Sequence, residues 1–231
     1  MKNNIALLII AVAFLSSCTS TAPLTKSVAY KGIYSEKPVT ILIMPPINRS
    51  TNVDAKEYFH STLNVPLANA GYYVIPPFLS MEILKKESAY DSELFLNNSL
   101  SKFGEVFGAD LALFTIINRW DKSAIASKVT VEVEYIFKSI KTNEVVYTRK
   151  GTVVYNTAIS TSGGGAFGAL VAITASAINT AATKYVDVAR ACNSYTFKDL
   201  PAGKYSPSFG IDGTQLAGSK AFSVMLNSSY Q

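Results

Sequence analysis

A cysteine preceded by two small residues at the end of a short apolar run is a substrate for lipid transfer. Its sulfur takes up diacylglycerol as a thioether, the chain is cut before it, and the freed amine is acylated. Leu15-Ser16-Ser17-Cys18 has this form. Lys2 lies ahead of an apolar run from Ile5 to Leu15, and small side chains suit the narrow site of a signal peptidase. The expectation is a signal peptide over 1–17 and lipidation at Cys18. A plain secretory leader with an incidental cysteine is the competing reading. The run is too short for the roughly 20 residues of a membrane-spanning helix, so lipid would be the anchor. Thr19 stands where an aspartate would act as an inner-membrane retention signal, which favours the outer membrane.

Other residue types offer little chemistry. Cys192 is the second of two cysteines, so with Cys18 lipidated no internal disulfide is expected. It falls in an amphipathic run and reads as a buried small hydrophobe, with an intermolecular bridge as the alternative. His60 is the only histidine, and without a cysteine pair no zinc site is expected. Asp54 and Glu57 suit a helix start, and Glu132 and Glu134 a wet strand face, rather than an acid–base pair. Gly163-Gly164-Gly165 is followed by no Gly-Lys-Ser/Thr, so no nucleotide is expected. The chain is mildly basic, with a formal net charge of +5, but its basic residues form no run interleaved with aromatics. No nucleic acid, cofactor, metal or catalytic constellation is expected.

The elements that would carry these residues make one domain. Cleavage before Cys18 leaves 214 of 231 residues, enough for a single α/β domain over 38–231. Thr19 to Lys37 shows no steady period and reads as part of a lipidated tether, 18–37. Val39 to Met44 is apolar on both faces, as in a central parallel strand, and ends at Pro45-Pro46. Tyr72 to Ile75 ends likewise at Pro76-Pro77, so both strands should stop at one sheet edge. Between them a helix from Asp54 to Gly71, interrupted at Pro66, completes a βαβ unit. A second helix is expected over Ser92 to Phe107, closed by Gly108, followed by a strand from Leu111 to Asn118.

Val129 to Phe137 and Val145 to Tyr155 alternate, with odd positions apolar, and predict a half-buried antiparallel hairpin. Burying both odd sets on one face requires an odd loop, expected at Lys141 to Asn143 with Asn143 left-handed. This sets Glu134 opposite Lys150. The fold class is thus α/β, a two- or three-layer mixed sheet with a βαβ start, an antiparallel hairpin, and an irregular tail from about residue 200. From Gly151 to Thr183 no residue is charged, and Ala166 to Ala182 reads as a small-residue helix packed on the sheet. Gly164, Gly168, Ala172, Ser176 and Thr180 form a stripe that permits close backbone approach. That stripe is a candidate interaction surface; packing against the sheet and entry into a membrane are the other readings.

The lipobox, Ile41-Leu42-Ile43-Met44-Pro45-Pro46, Ala70-Gly71-Tyr72-Tyr73-Val74, Phe107-Gly108-Ala109-Asp110, Tyr185 to Ala189 and Gly203 to Pro207 together resemble bacterial lipoproteins of unknown function of the neisserial surface-antigen type. The resemblance implies a fold similar to the periplasmic domain of the curli-secretion channel lipoprotein and to the amino-terminal domain of the Tol-Pal translocation protein. It also implies an envelope complex with a curli-channel-like lipoprotein. The expected role is therefore a non-enzymatic, outer-membrane-anchored binding or assembly component. Its partners would be the membrane, other envelope lipoproteins or further copies of itself. A lipoprotein activator of a cell-wall synthase is the alternative.

Overall fold

Thr40–Ile43 is buried because both of its faces meet apolar layers: Ile41 and Ile43 enter one core, Leu42 and Met44 the other. In the computed structural model, which describes residues 23–159, 169, 172, 173, 175–177, 179, 180 and 183–227, this strand is β1. Two short helices precede it, α1 (Lys26–Ala29) and α2 (Lys31–Glu36). After β1 come β2 (Ile47–Asn48), α3 (Ala55–Thr62), α4 (Asn64–Asn69), β3 (Tyr73–Val74), α5 (Pro77–Lys86) and α6 (Ser101–Phe107). The chain then forms β4 (Leu111–Ser123), β5 (Lys128–Ser139), β6 (Val145–Asn156), α7 (Tyr185–Phe197) and β7 (Ala221–Leu226).

The sheet runs β3-β1-β4-β5-β6-β7, with β2 also paired to β4. β3, β1 and β4 are mutually parallel, β4-β5-β6 is antiparallel, and β7 lies parallel to β6. One face carries α3, α4, α7 and the aminoterminal helices, and residues of α5 and α6 cover the other over the parallel half. The mixed α/β sheet with its βαβ start is the architecture expected from the sequence. In β5, Val129, Val131, Val133, Tyr135 and Phe137 are all fully buried while Thr130, Glu132 and Glu134 are not. Glu134 faces Lys150 in the ladder, and the lysine forms its ion pair diagonally with Glu132 at 3.3 Å.

The structure departs from expectation where local signals had two readings. Pro45-Pro46 does not end the lane of β1: the chain resumes as β2 against Ile116 and Ile117 of β4. Pro76-Pro77 does end β3, but Pro77 also opens α5 as its first residue, where the missing N–H costs nothing. Asp54 makes no side-chain cap; instead its own N–H donates to Asn52 Oδ1 at 3.0 Å. The helix expected over Ser92 to Phe107 is a 3-10 turn at Ser92–Phe95 and then α6. The hairpin connection is longer than three residues, β5 ending at Ser139 and β6 starting at Val145, with a register shift that preserves the predicted facing. Asn143 does adopt the left-handed conformation, φ 61°.

Both ends of the domain also fold further than expected. Residues 26–36 are not tether: Tyr30 and Ile33 are core residues, and the Ser139 hydroxyl donates to Glu36 Oε2 at 2.6 Å. Up to residue 227 the tail is ordered by β7 and by a bridge between Thr25 and Leu216.

Candidate functional site

Two of the side chains considered for chemistry, Cys192 and His60, are held inside the fold. Cys192 on α7 is fully buried and unpaired, and burial pushes its thiol pKa up, which suppresses the reactive thiolate. Next to it, Asn193 joins three elements. Its amide donates to Thr62 Oγ1 at 2.9 Å, and its carbonyl accepts from the Tyr135 hydroxyl at 2.5 Å. Asp199 accepts from the Tyr30 hydroxyl and from Gly218 N–H, and Arg149 donates to the carbonyls of Thr196 and Ser219. Asn193 thus braces α7 against α3 and β5, and Asp199 and Arg149 brace the segment after α7 against β6 and against Tyr30 between α1 and α2, each satisfied by a partner as burial demands. Among the described residues no cluster of His, Cys, Asp and Glu could hold a metal ion.

His60 is buried on α3, its Nε2 meeting no hydrogen-bond partner among the described residues. Burial, and then the positive charges of Lys56 and Lys85, lower its pKa from 6.5 to about 4. The folded state thus prefers neutral imidazole. Its contribution is fully present above pH 6.5 and is lost as pH falls toward 4, amounting to about 2–3 kcal/mol across that window. Urea unfolding at pH 7 and pH 4 should show His60→Leu losing less stability on acidification than the parent. Equal losses would mean that the imidazole is not the acid-sensitive group.

One open cleft of about 740 Å³ lies between α4, α7 and the loop from Leu200 to Gln215. Val65 and Pro66 of α4 and Phe197 and Leu200 give it apolar wall, while Ser194, Ser206, Ser208 and Asn69 give hydrogen-bonding groups. Arg190 and Lys198 bring positive charge, with Arg190 also paired to Asp187 at 2.8 Å. Asp212 holds the loop in place. It accepts from the Tyr34 hydroxyl at 2.9 Å and Ala202 N–H at 2.8 Å, and lies 3.7 Å from buried Lys26. The loop also meets the end of α4 at a glycine seam. Gly203 N–H donates to Ala70 O at 2.8 Å, and Tyr205 N–H to Gly71 O at 2.9 Å. The sequence did contain a signal for this wall: Arg190, Ser194 and Lys198 recur at every fourth position, one face of a helix.

The residues singled out from the sequence do not meet in this cleft. Cys18, Gly164 and Gly168 lie outside the described residues. Ala172 is half-buried in a helical stretch. Ser176 and Thr180 are buried and turned inward: Ile159 N–H donates to Ser176 Oγ at 2.8 Å, and Thr180 Oγ1 pairs with Thr157 Oγ1 at 2.5 Å. Asn179 adds a bond to Thr157 O at 2.7 Å. This part of the stripe is stitched to the chain leaving β6 and presents neither hydroxyl to a partner.

No helix of the described residues is long and apolar enough to cross a membrane. The family model described as "Putative lipoprotein GNA1162-like" matches residues 28–203, from α1 into the glycine seam. A lipoprotein of Neisseria meningitidis, NMB1124/NMB1162, is 29% identical over 114 residues, which are 49% of this chain and 52% of that protein. The match therefore spans about half of the curated relative's length. The crystal structure of lipoprotein GNA1162 from Neisseria meningitidis superposes with a TM-score of 0.47 at 22% identity, covering 61% of this chain and 98% of the other. The PelC dodecamer from Paraburkholderia phytofirmans gives 0.38 at 14% identity, over 62% and 89%. With its family-matched segment spanning the sheet from β1 through β6 and helix α7, the chain belongs to the GNA1162-like lipoprotein family.

Proposed function

We propose that this chain is lipidated at Cys18, held at the outer membrane, and acts there as a non-catalytic binding or assembly component of an envelope complex. The partner class is another envelope lipoprotein of the curli-channel type or a further copy of the chain. The observation that carries the reading is a division of labour among polar groups. Asn193, Asp199 and Arg149 spend their hydrogen bonds on internal bracing, whereas the cleft between α4 and α7 is open and mixes apolar wall, hydroxyls and positive charge. Apolar wall with an aromatic ring and an arginine beside it, here Phe197 and Arg190, is a combination that protein interfaces favour.

A photo-crosslinking residue placed at Ser194 or Ser206 tests it in intact cells. The expected product is a discrete adduct with a second envelope protein or at twice the subunit mass. Recovery of monomer alone at both positions, while a known envelope complex is captured in parallel, would overturn the reading.

A further inference from the structure

The folding of α1 and α2 onto the core leaves very little slack between the domain and the anchor. Leu24 is already fixed, its carbonyl accepting from Ala217 N–H at 2.8 Å, and Thr25 bridges Leu216. Six peptide units separate Cys18 from Leu24, a reach of at most about 20 Å. A domain of this size is roughly 35 Å or more across. The leash is shorter than the body it holds.

Where the leash joins the body, the surface is apolar. Leu24 and Val28 are 54% and 61% exposed, and on the segment bonded beside them Ile211 and Leu216 are 73% and 62% exposed. The two segments are tied by Lys26 N–H to Gln215 O at 2.8 Å and by the Lys26–Asp212 pair. Four large apolar side chains on adjoining segments, at the root of a short lipid leash, fit one occupant better than any other. We propose that Leu24, Val28, Ile211 and Leu216 form a membrane-contacting face that rests on the lipid surface into which Cys18 is anchored. The inference builds on the lipidation of Cys18 in the function proposed above. Amphipathic surfaces bury such side chains about 5–10 Å into the headgroup boundary, a depth the leash permits.

The rest of the molecule supplies a control. Ile125 is fully exposed in the turn between β4 and β5. It lies beyond the end of β5 opposite to Ser139, the residue that bonds α2; the strand between them is about 36 Å long.

The full-length lipidated protein, carrying Val28→Cys, Ile211→Cys or Ile125→Cys, is labelled with an environment-sensitive fluorophore and reconstituted into phosphatidylethanolamine–phosphatidylglycerol vesicles. Native Cys192 is buried and will not compete for label. Quenchers carried on the lipid chains near the headgroups should cut emission at 28 and 211 by roughly half or more, with none lost at 125. Equal quenching at all three, or none at 28 and 211 in protein that floats with the vesicles, would overturn the proposal. Dimer-dependent shielding at 28 and 211 without quenching would instead assign the face to a second copy, and would overturn it too. Failure to float with the vesicles at all would reject the lipid anchor itself, an outcome distinct from the others.

Discussion

Cys18→Ala, exported behind a leader cut before residue 18, should shift the protein from the membrane to the soluble fraction, lowering the bound-to-free ratio by at least about a thousandfold. The size follows from acyl-chain burial, at about 0.8 kcal/mol per methylene, and from the rule that two chains are needed for stable anchoring. The apolar face around Leu24 cannot substitute, because four side chains bury far less hydrocarbon than two or three acyl chains. Flotation of cell extracts, together with incorporation of labelled palmitate into the parent and not the variant, is the measurement. A variant that still floats, with its fold intact, would place the anchor elsewhere in the chain.

Gly71→Ala should destabilise the domain by about 3 kcal/mol, a fall in melting temperature of about 6–12 °C. Two costs coincide at this position. Its φ is +92°, which a side chain resists, and an added Cβ would sit 2.4 Å from Ser206 N and 2.8 Å from Gly203 O. Both contacts are with backbone, which cannot rotate away. Gly108 separates the two effects: its φ is +62°, but nothing lies within 4 Å of the added carbon. Gly108→Ala should therefore cost only about 1 kcal/mol. Comparable losses in the two variants would mean that the seam between α4 and the cleft loop is not tightly closed. The seam also sets one wall of the cleft, so Gly71→Ala should weaken crosslinking at Ser206 more than at Ser194.

Period and breakers carried the reading wherever an element was long or sharply punctuated. β5 exposes its twofold alternation across nine residues from Val129 to Phe137, and that alone fixed its buried face and its facing with β6. Gly108 left a local mark that survived into the fold, as the left-handed cap of α6, whereas the interruption expected at Pro66 falls at Leu63, with Pro66 inside α4. The amino-terminal helices were illegible for a different reason. α1 has four residues and α2 six, too few to display a helical period, so Tyr30 and Ile33 read as scattered apolar residues. β7 is stabilised by pairing with a strand some 70 residues earlier, from Lys150–Ala221 to Tyr155–Leu226, and no local signal reports such a partner. Pro45-Pro46 shows the limit of breaker rules: a proline pair interrupts a ladder, but β4 is long enough to take up the chain again on the other side. The cleft arises from α4, α7 and the loop after Leu200, which only tertiary packing brings together.

The parallel course of β7 beside β6 has a practical corollary. Leu226 pairs with Tyr155, next to Asn156, whose partner Lys128 begins β5. The chain therefore leaves the sheet at the end remote from Ser139 and α2. A reporter fused beyond Leu226 would stand clear of both the segment before Leu24 and the cleft. Its access to external protease or to an impermeant antibody would read out which side of the bilayer the domain occupies without disturbing either surface.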